Sequence, residues 1–574
     1  MPYPFELPTT SSISFDDFYT SATHPSLPLA ATTCRGVLRD VLKKHKRLPP
    51  PSQTSDLPAV ATALNEYIPH LSALDAGLSN SSSGQPAAVP PGSSTEAINV
   101  VPLPARGELA VEWRATLSAS PIPGRDPPRV KLRGLRLELG FALASLAYVH
   151  SLQARAALHA LYNYNTAAPP SPEQRTAAVA QAMRSFLEAN SIHSYLVQRL
   201  GSGSNATTTN ASPSPAAPNM PRRASSNSGD ASPSTNSGSN GRKQSSSQAT
   251  TIPPPDLTPG VQTALASLTL AEATLIAVLK DDPYPAAVAE DRSRAARDWM
   301  FKAPDIPRVR AHLFARLCLA AAEHAARGKA ALGWAASGGG GKVDEALARY
   351  LEDLRRTARG KACRFFGIDA ELEGKTGEAI AWLRAARREL GFGGGGGGGG
   401  GGEGAEEESG KKGFAARLKK DWSEKREDRK IEKGADWGSD AGRFEEGRVV
   451  DMLEKKWVKM NDTKREKGSP LTTPKVGVQT IPPIDPLLAS MPSGREYHSP
   501  KLYKLPHLDE STVASMRAPP PQHVRDAAAG VDADDSSSGD DDAAVAGGDP
   551  VGAFPGTSAD YAAGGGGDGD RGYY

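Results

Sequence analysis

Apolar residues recur at three- and four-residue steps in one segment after another, and that period confines the chain to a helical core. Between Arg133 and Tyr164, Leu135, Leu139, Ala142, Leu146 and Val149 fall on one stripe, the spacing that buries one side of an α-helix. Pro169, Pro170 and Pro172 end it. Pro172-Glu173 then opens a second helix to about Leu200, with Ala182, Phe186, Ala189, His193 and Leu196 on one face. The same reading places helices at Val261–Leu279, in an Ala-rich stretch that follows Pro283 and Pro285 and ends near Trp299, and from Pro307 through His324. Val343–Arg359 and Lys361–Leu390 complete the set. One stretch breaks the period. Leu109, Val111, Trp113, Ala115 and Leu117 alternate with Glu112, Arg114 and Thr116, and Val130-Lys131-Leu132 follows a PIPGRDPP loop. Alternation at period two predicts a β-hairpin packed on the helices.

Low-complexity runs interrupt this core. The 57 Gly and 48 Pro of the 574 residues, with much of the Ser, gather in visible tracts. They predict disordered inserts at 201–255, 335–342 and 391–412, because such compositions bury too little apolar surface to offset chain entropy. A disordered, acidic, Gly-rich tail is expected over 506–574, which leaves one folded domain spanning 1–505. Phe365 onward reads FFGIDAELEGKTGEAIAWLRAA, a helix, a Gly-Lys-Thr-Gly turn and a second helix. That is the plan of a tetratricopeptide-like unit, and it stands alone rather than in an array.

The formal net charge of +2 excludes a nucleic-acid footprint spread over the whole chain. Cys34, Cys318 and Cys363 show neither metal spacing nor pairing, which fits a reducing compartment and small core residues. MPYPFELPTT lacks the basic and apolar regions of a signal peptide. The most apolar stretch is read around Leu135 to Leu161, and Arg136, Glu138, His150 and Arg155 punctuate it too heavily for a membrane span. A soluble, cytosolic protein is expected, with membrane association at most peripheral and through partners.

No catalytic constellation emerges. Gly374-Lys375-Thr376 invites comparison with a phosphate loop, but the required earlier Gly position holds Asp369 and the preceding residues are helical. Ser337–Lys342 fails because Val343 replaces the metal-binding hydroxyl. His312 and His324, with Glu323, lack one-turn metalloprotease spacing. No enzyme activity, cofactor, metal or small-molecule substrate is expected. Tyr3-Pro4-Phe5-Glu6-Leu7 is read as an N-terminal strand docked on the fold. Lys411–Lys467 is dense in both signs and is read as a solvated helix with i,i+4 ion pairs; the competing reading is a basic face near acidic lipids or an acidic helix, with Trp422 and Trp457 as anchors or core. Arg222-Arg223-Ala224-Ser225 offers Ser225 as a phosphosite in the Ser-rich insert.

Several long strings resemble the fungal pH-response regulators of the PalC family, which share the Bro domain with Alix and PalA. They are PYPFELPTTSSISF near the start, THPSLPLAATTCRGVLRDVLKKHKRLPP from Thr23, and LNEYIPHLSALDAGL at Leu64–Leu78. LTLAEATLIAVLKDDPYPAAVAEDR at Leu268–Arg292, APDIPRVRAHLFARLCLAAAEHAA at Ala303–Ala326 and MPSGREYHSPKLY at Met491–Tyr503 complete the set. The resemblance implies a curved helical solenoid with a tetratricopeptide-like centre and a small β-element. It implies an adaptor of ambient alkaline pH signalling that binds the polymer-forming ESCRT-III subunit and other components of the pH-signalling complex. Such an adaptor connects a plasma-membrane sensor to proteolytic activation of a zinc-finger transcription factor, and works at plasma-membrane or endosomal sites. In that family the partner helix lies on the helix matching Leu275–Val288, so Leu275, Ala277, Val278 and Val288 are the implied contacts. This chain departs from Alix by carrying small aliphatics where Alix has a Phe, and by lacking a long second helical domain and Pro-rich tail. Arg384 and Arg387, which follow Trp382 and lie one turn apart, are read as basic residues that steer an acidic helix. The rival readings are a generic tetratricopeptide-like peptide-binding scaffold and an endosomal sorting adaptor of the Alix type.

Overall fold

The computed structural model of the protein describes residues 2–83, 98–104, 107–120, 126–127, 129–162, 171–204, 254–292, 306–337, 341–392, 438–466, 479–495 and 502–519. Helices dominate, with two small antiparallel strand pairs. β1 (Tyr19–Thr20) pairs with β2 (Val101–Pro102). β3 (Ala110–Arg114) pairs with β4 (Arg129–Arg133) in the register Val111↔Leu132 and Trp113↔Val130. The hairpin predicted from alternation is therefore β3–β4. Its other edge is taken by the N-terminal segment. Arg114 N donates to Thr9 O at 2.9 Å and Ser11 N to Glu112 O at 3.2 Å. The docked strand expected at Tyr3–Leu7 is displaced to this point. Tyr3–Leu7 makes no strand and instead packs by its rings, with Phe5 stacked on Tyr148 at 4.8 Å and Tyr3 edge-on to Tyr350 at 5.1 Å.

The helices follow in chain order. α1 (Leu27–Arg47) and α2 (Pro50–Ser83) precede the hairpin, and α3 (Leu135–Tyr162) and α4 (Pro172–Ser204) follow it. A fully buried carboxylate ties these parts together. Glu138 on α3 accepts from Arg35 Nε at 2.9 Å, Tyr67 OH at 2.7 Å and Trp113 Nε1 at 2.5 Å, drawing α1, α2 and β3 onto one group. A buried charge persists only where its lone pairs are met in this way.

α5 (Pro259–Leu279), α6 (Tyr284–Arg292), α7 (Arg308–Ser337), α8 (Glu345–Leu372) and α9 (Thr376–Glu389) come next, then α10 (Arg443–Glu466), α11 (Ile484–Ala489) and α12 (Glu510–Ser515). Consecutive long helices pack side by side from α3 to α5, and α5, α7, α8 and α9 continue the stack. α5, not the Leu135–Leu161 stretch, is apolar and long enough to pass a composition test for a membrane span. Its mean hydropathy reaches 1.5 over a window that is 72% buried inside the fold, as in a core helix. The tetratricopeptide-like pair is α8–α9. Gly374 turns between them at φ +78°, a backbone region that glycine enters without strain. Gly367 lets α9 approach closely, since a β-carbon there would lie 3.2 Å from Ala379 O.

Several boundaries differ from the sequence reading. α7 runs thirteen residues past His324, through Gly328 and Gly333, because Ala, Leu, Arg and Lys around them are strong helix formers. α4 continues to Ser204, and Lys342 and Val343 pair with the hairpin's end, where Ala119 N donates to Lys342 O at 2.8 Å. Pro254 and buried Pro255, Gly341, Gly391 and Phe392 are likewise placed, and the remainder of the three expected inserts lies outside the described residues. Past 505, Asp509 caps α12, Val513 and Met516 are buried, and Ser26 N donates to Met516 O at 3.2 Å. Residues 506–519 therefore pack with the helices, and the rest of the expected tail lies outside the described residues.

Candidate partner-binding site

The four aliphatic residues implied as contacts straddle the end of α5 and the start of α6. They do not lie on one helix. Asp282-Pro283 breaks it, because Pro283 cannot continue the hydrogen-bond ladder and Tyr284 N caps onto Asp282 Oδ1 at 3.2 Å. Leu275, Ala277 and Val288 are half-buried. Val278 is only 1% exposed and belongs to the core beneath, so the expected surface loses that residue. Its side chain joins a core cluster that includes Phe314 and Cys318 of α7 and Cys363 and Phe365 of α8.

Arg384 and Arg387 also stand differently from the expectation. Both lie on α9 and both are engaged by α10. Arg384 Nε and Arg387 Nη1 each lie 3.2 Å from Glu454, and Arg387 Nε lies 3.5 Å from Asp451. None of these bonds reaches α5 or α6. Their charge is neutralised within the fold, which removes most of its value for steering a ligand. Ser225 and Trp422 lie outside the described residues. Trp457 is buried in the core, 3.3 Å from the β-carbon position of Gly367. The charged stretch at α10 is thus half core: Val449, Val450, Leu453 and Trp457 face inward while its carboxylates pair with α9.

Beneath the surface lies an ion cluster that local sequence reading missed. Arg364 on α8 is wholly buried. Its Nη2 and Nη1 donate to Asp282 at 2.5 and 3.2 Å, and its Nε donates to Glu446 on α10 at 2.5 Å. Lys361 adds a bond to Glu446 at 2.6 Å. The guanidinium also lies 4.3 Å from the centre of the Phe365 ring and 5.5 Å from that of Tyr284. Burial opposes ionisation of Asp282, yet Arg364 and Lys361 overcome it and hold the carboxyl below its ordinary range. The α5–α6 corner that shapes the surface is therefore fixed by charge pairing to α8 and α10. The signal available in the sequence was an Arg between Cys363 and Phe365 on an apolar helix face, which demands a buried partner.

The remaining chemical candidates resolve as structural. Gln479 Oε1 accepts from Gly377 N at 3.0 Å, and Gln479 Nε2 donates to Gly374 O at 2.8 Å. A side chain thus occupies the first turn of α9, where a phosphate would sit, and the Thr480 carbonyl closes over Gly377. Of MPSGREYHSP, the described Met491–Arg495 lies against α7: Gly494 N donates to Glu323 and Arg495 N to Arg316 O, at 3.2 and 3.0 Å. Cys318 and Cys363 are buried, and burial pushes both thiols up to about 12. His312 stacks edge-on against Phe366 at 5.9 Å, and buried His324 lies 2.6 Å from Arg327. Among the described residues no three His, Cys, Asp or Glu side chains form a metal-ligand group.

Comparison with known proteins gives these elements a family. The pH-response regulator protein palC of Emericella nidulans is 42% identical over 534 residues, which cover 91% of this chain and 92% of that protein. The chain belongs to the PalC family of pH-response regulators. No family model matches the chain. Among solved structures, ALIX in complex with the SIVmac239 PYKEVTEDL late domain is 12% identical with a TM-score of 0.40, covering 89% of this chain and 51% of ALIX. The chain thus spans about half the length of that ALIX chain. The ALIX BRO1–CHMP4C complex is 13% identical with a TM-score of 0.38, covering 89% and 99% of the two chains.

Proposed function

We propose that this PalC-family protein is a non-enzymatic adaptor of the alkaline pH response that holds an amphipathic ESCRT-III helix against the α5–α6 corner. The observation that carries the reading is the near full-length relation to a pH-response regulator. Half-buried Leu275, Ala277 and Val288 give an incoming apolar face something to cover, and helix-in-groove binding needs no more than a few such anchors. A corner fixed by Asp282, Arg364 and Glu446 presents them without a large ordering cost on binding. Acting from the cytoplasm, recruited to plasma-membrane or endosomal sites, such an adaptor couples a pH sensor complex to proteolytic activation of a zinc-finger factor.

The functional test is replacement in a living relative. Expression of this chain in Emericella nidulans lacking its own palC is expected to restore growth on alkaline medium. A chain that accumulates, folded, without restoring growth would contradict the reading.

A further inference from the structure

Behind Leu275 a cavity of about 50 Å³ opens between α3, α5, α8 and the start of α10. Roughly 10–15 Å³ is enough for one water-sized group, so the space exceeds a single water. Its walls are Leu158, Leu275, Leu279 and Leu354. Its polar lining is unusual. Glu272 is 3% exposed and its Oε2 has no hydrogen-bond partner, and Thr357 is 1% exposed with its Oγ1 likewise unpartnered. Buried oxygens left in this state are costly and are met by a donor when one can enter. Glu445, half-buried, supplies a second carboxylate.

The lining cation does not meet these groups. Lys361 is committed to Glu446, and Asp282 is committed to Arg364. Glu272 Oε1 accepts from Tyr350 OH at 2.7 Å and from Tyr3 N at 2.9 Å, while Arg155 on α3 acts on it through space. Glu445 faces Lys361, Glu446 and Asp440, and the amino-terminal charge bears on both carboxylates. Desolvation raises the Glu272 carboxyl to about 7 and raises that of Glu445 as well. Arg155, Lys361 and the amino terminus, brought near by Pro2 in the lining, act on these carboxylates through space, but none of them donates to Glu272 Oε2. No metal-ligand group forms among the described residues, and four leucines line the walls. That combination suits an apolar stem ending in N–H donors better than a hydrated ion.

We infer that this cavity is a receptor for an alkylammonium group, the end of a lysine side chain carried by a partner that lies across α5. The stem runs along Leu158, Leu275 and Leu279, and the ammonium donates to Glu272 Oε2, Thr357 Oγ1 and Glu445. Binding requires ionised carboxylates, so affinity rises with pH through neutrality and protons are released as the amine enters. The inference rests on the partner-binding reading for the source of the lysine.

The probe is n-butylammonium, compared with sodium at equal ionic strength in thermal unfolding of the full chain. At about 50 mM amine and about pH 8, a rise in Tm of roughly 1–2 °C over the sodium control is expected, shrinking at about pH 6. Glu272→Gln and Thr357→Val should each remove the amine-specific shift, the second without altering any charge. An absent shift, or one equal in wild type and both variants, overturns the inference. A shift that appears only after acetylation of the chain's own terminal amine also overturns it, because the terminus is then the occupant. The amine reports on the cavity whether or not a helix binds at α5, so this inference and the partner-binding reading fail separately.

Discussion

Replacing Arg364 with Ala is expected to lower stability by about 3–5 kcal/mol, the usual cost of leaving buried charges without their partner. The residue is fully buried between Asp282 and Glu446, so its loss strands two carboxylates at once. Water cannot repay the lost bonds unless the packing around them opens. The damage should be local in its first stage. Hydrogen exchange should accelerate at Val449–Leu453 of α10 and at the α5–α6 corner, and far less in β3 and β4, whose carboxylate anchor is Glu138. Arg364→Lys keeps a positive charge but cannot fork to two carboxylates, and should fall between Ala and wild type. A melting temperature unchanged by Arg364→Ala would show that the cluster does not hold this corner.

Protonation of Glu272 should produce the second large effect, with a definite sign. Desolvation first, against weaker help from Tyr350, raises its carboxyl from 4.5 to about 7 in the folded protein. The folded state therefore holds a proton that the unfolded chain releases above about pH 4.5. Its stabilising contribution is complete below that pH, declines as pH rises, and is lost above about pH 7. A shift of this size corresponds to roughly 3 kcal/mol across the window. Glu272→Gln resembles the protonated acid and keeps an acceptor for Tyr350 OH and Tyr3 N. Wild type and variant should match near the acid end of the window, and the variant should become progressively more stable towards pH 8. A difference in Tm that stays constant with pH would refute the assignment.

The helical architecture was legible because its cause is local. Leu135, Leu139, Ala142, Leu146 and Val149 set the α3 stripe, and prolines marked the ends of α3 and the start of α4. The hairpin was legible for the same reason, since alternation from Leu109 to Leu117 leaves no other way to bury Val111 and Trp113 together. The end of α7 was not, because Ala-rich sequence carries no periodic contrast to show where a helix stops. Tertiary pairing was invisible altogether. Arg364 finds partners 82 positions away in either direction, and Glu138 gathers donors from 25 to 103 positions off.

The candidate site divides in the same way. The family resemblance led to Leu275, Ala277, Val278 and Val288, and three of them are half-buried near one corner. Periodicity could not separate Val278 from its neighbours, because α5 is apolar nearly all round and is buried on several sides. Arg384 and Arg387 looked like free positive charge in sequence. Their neutralisation depends on Asp451 and Glu454, which come from a helix that returns only after a long interval of chain.

The most direct measurement is a binding isotherm between the full chain and a C-terminal helix peptide of the ESCRT-III polymer subunit. Ala277→Glu and Val288→Asp place charge on half-buried positions and spare the buried Val278. Saturable binding is predicted for wild type, weakened by about tenfold or more in each variant while melting temperatures stay near wild type. Absence of binding, or an affinity that both substitutions leave unchanged, would contradict the account.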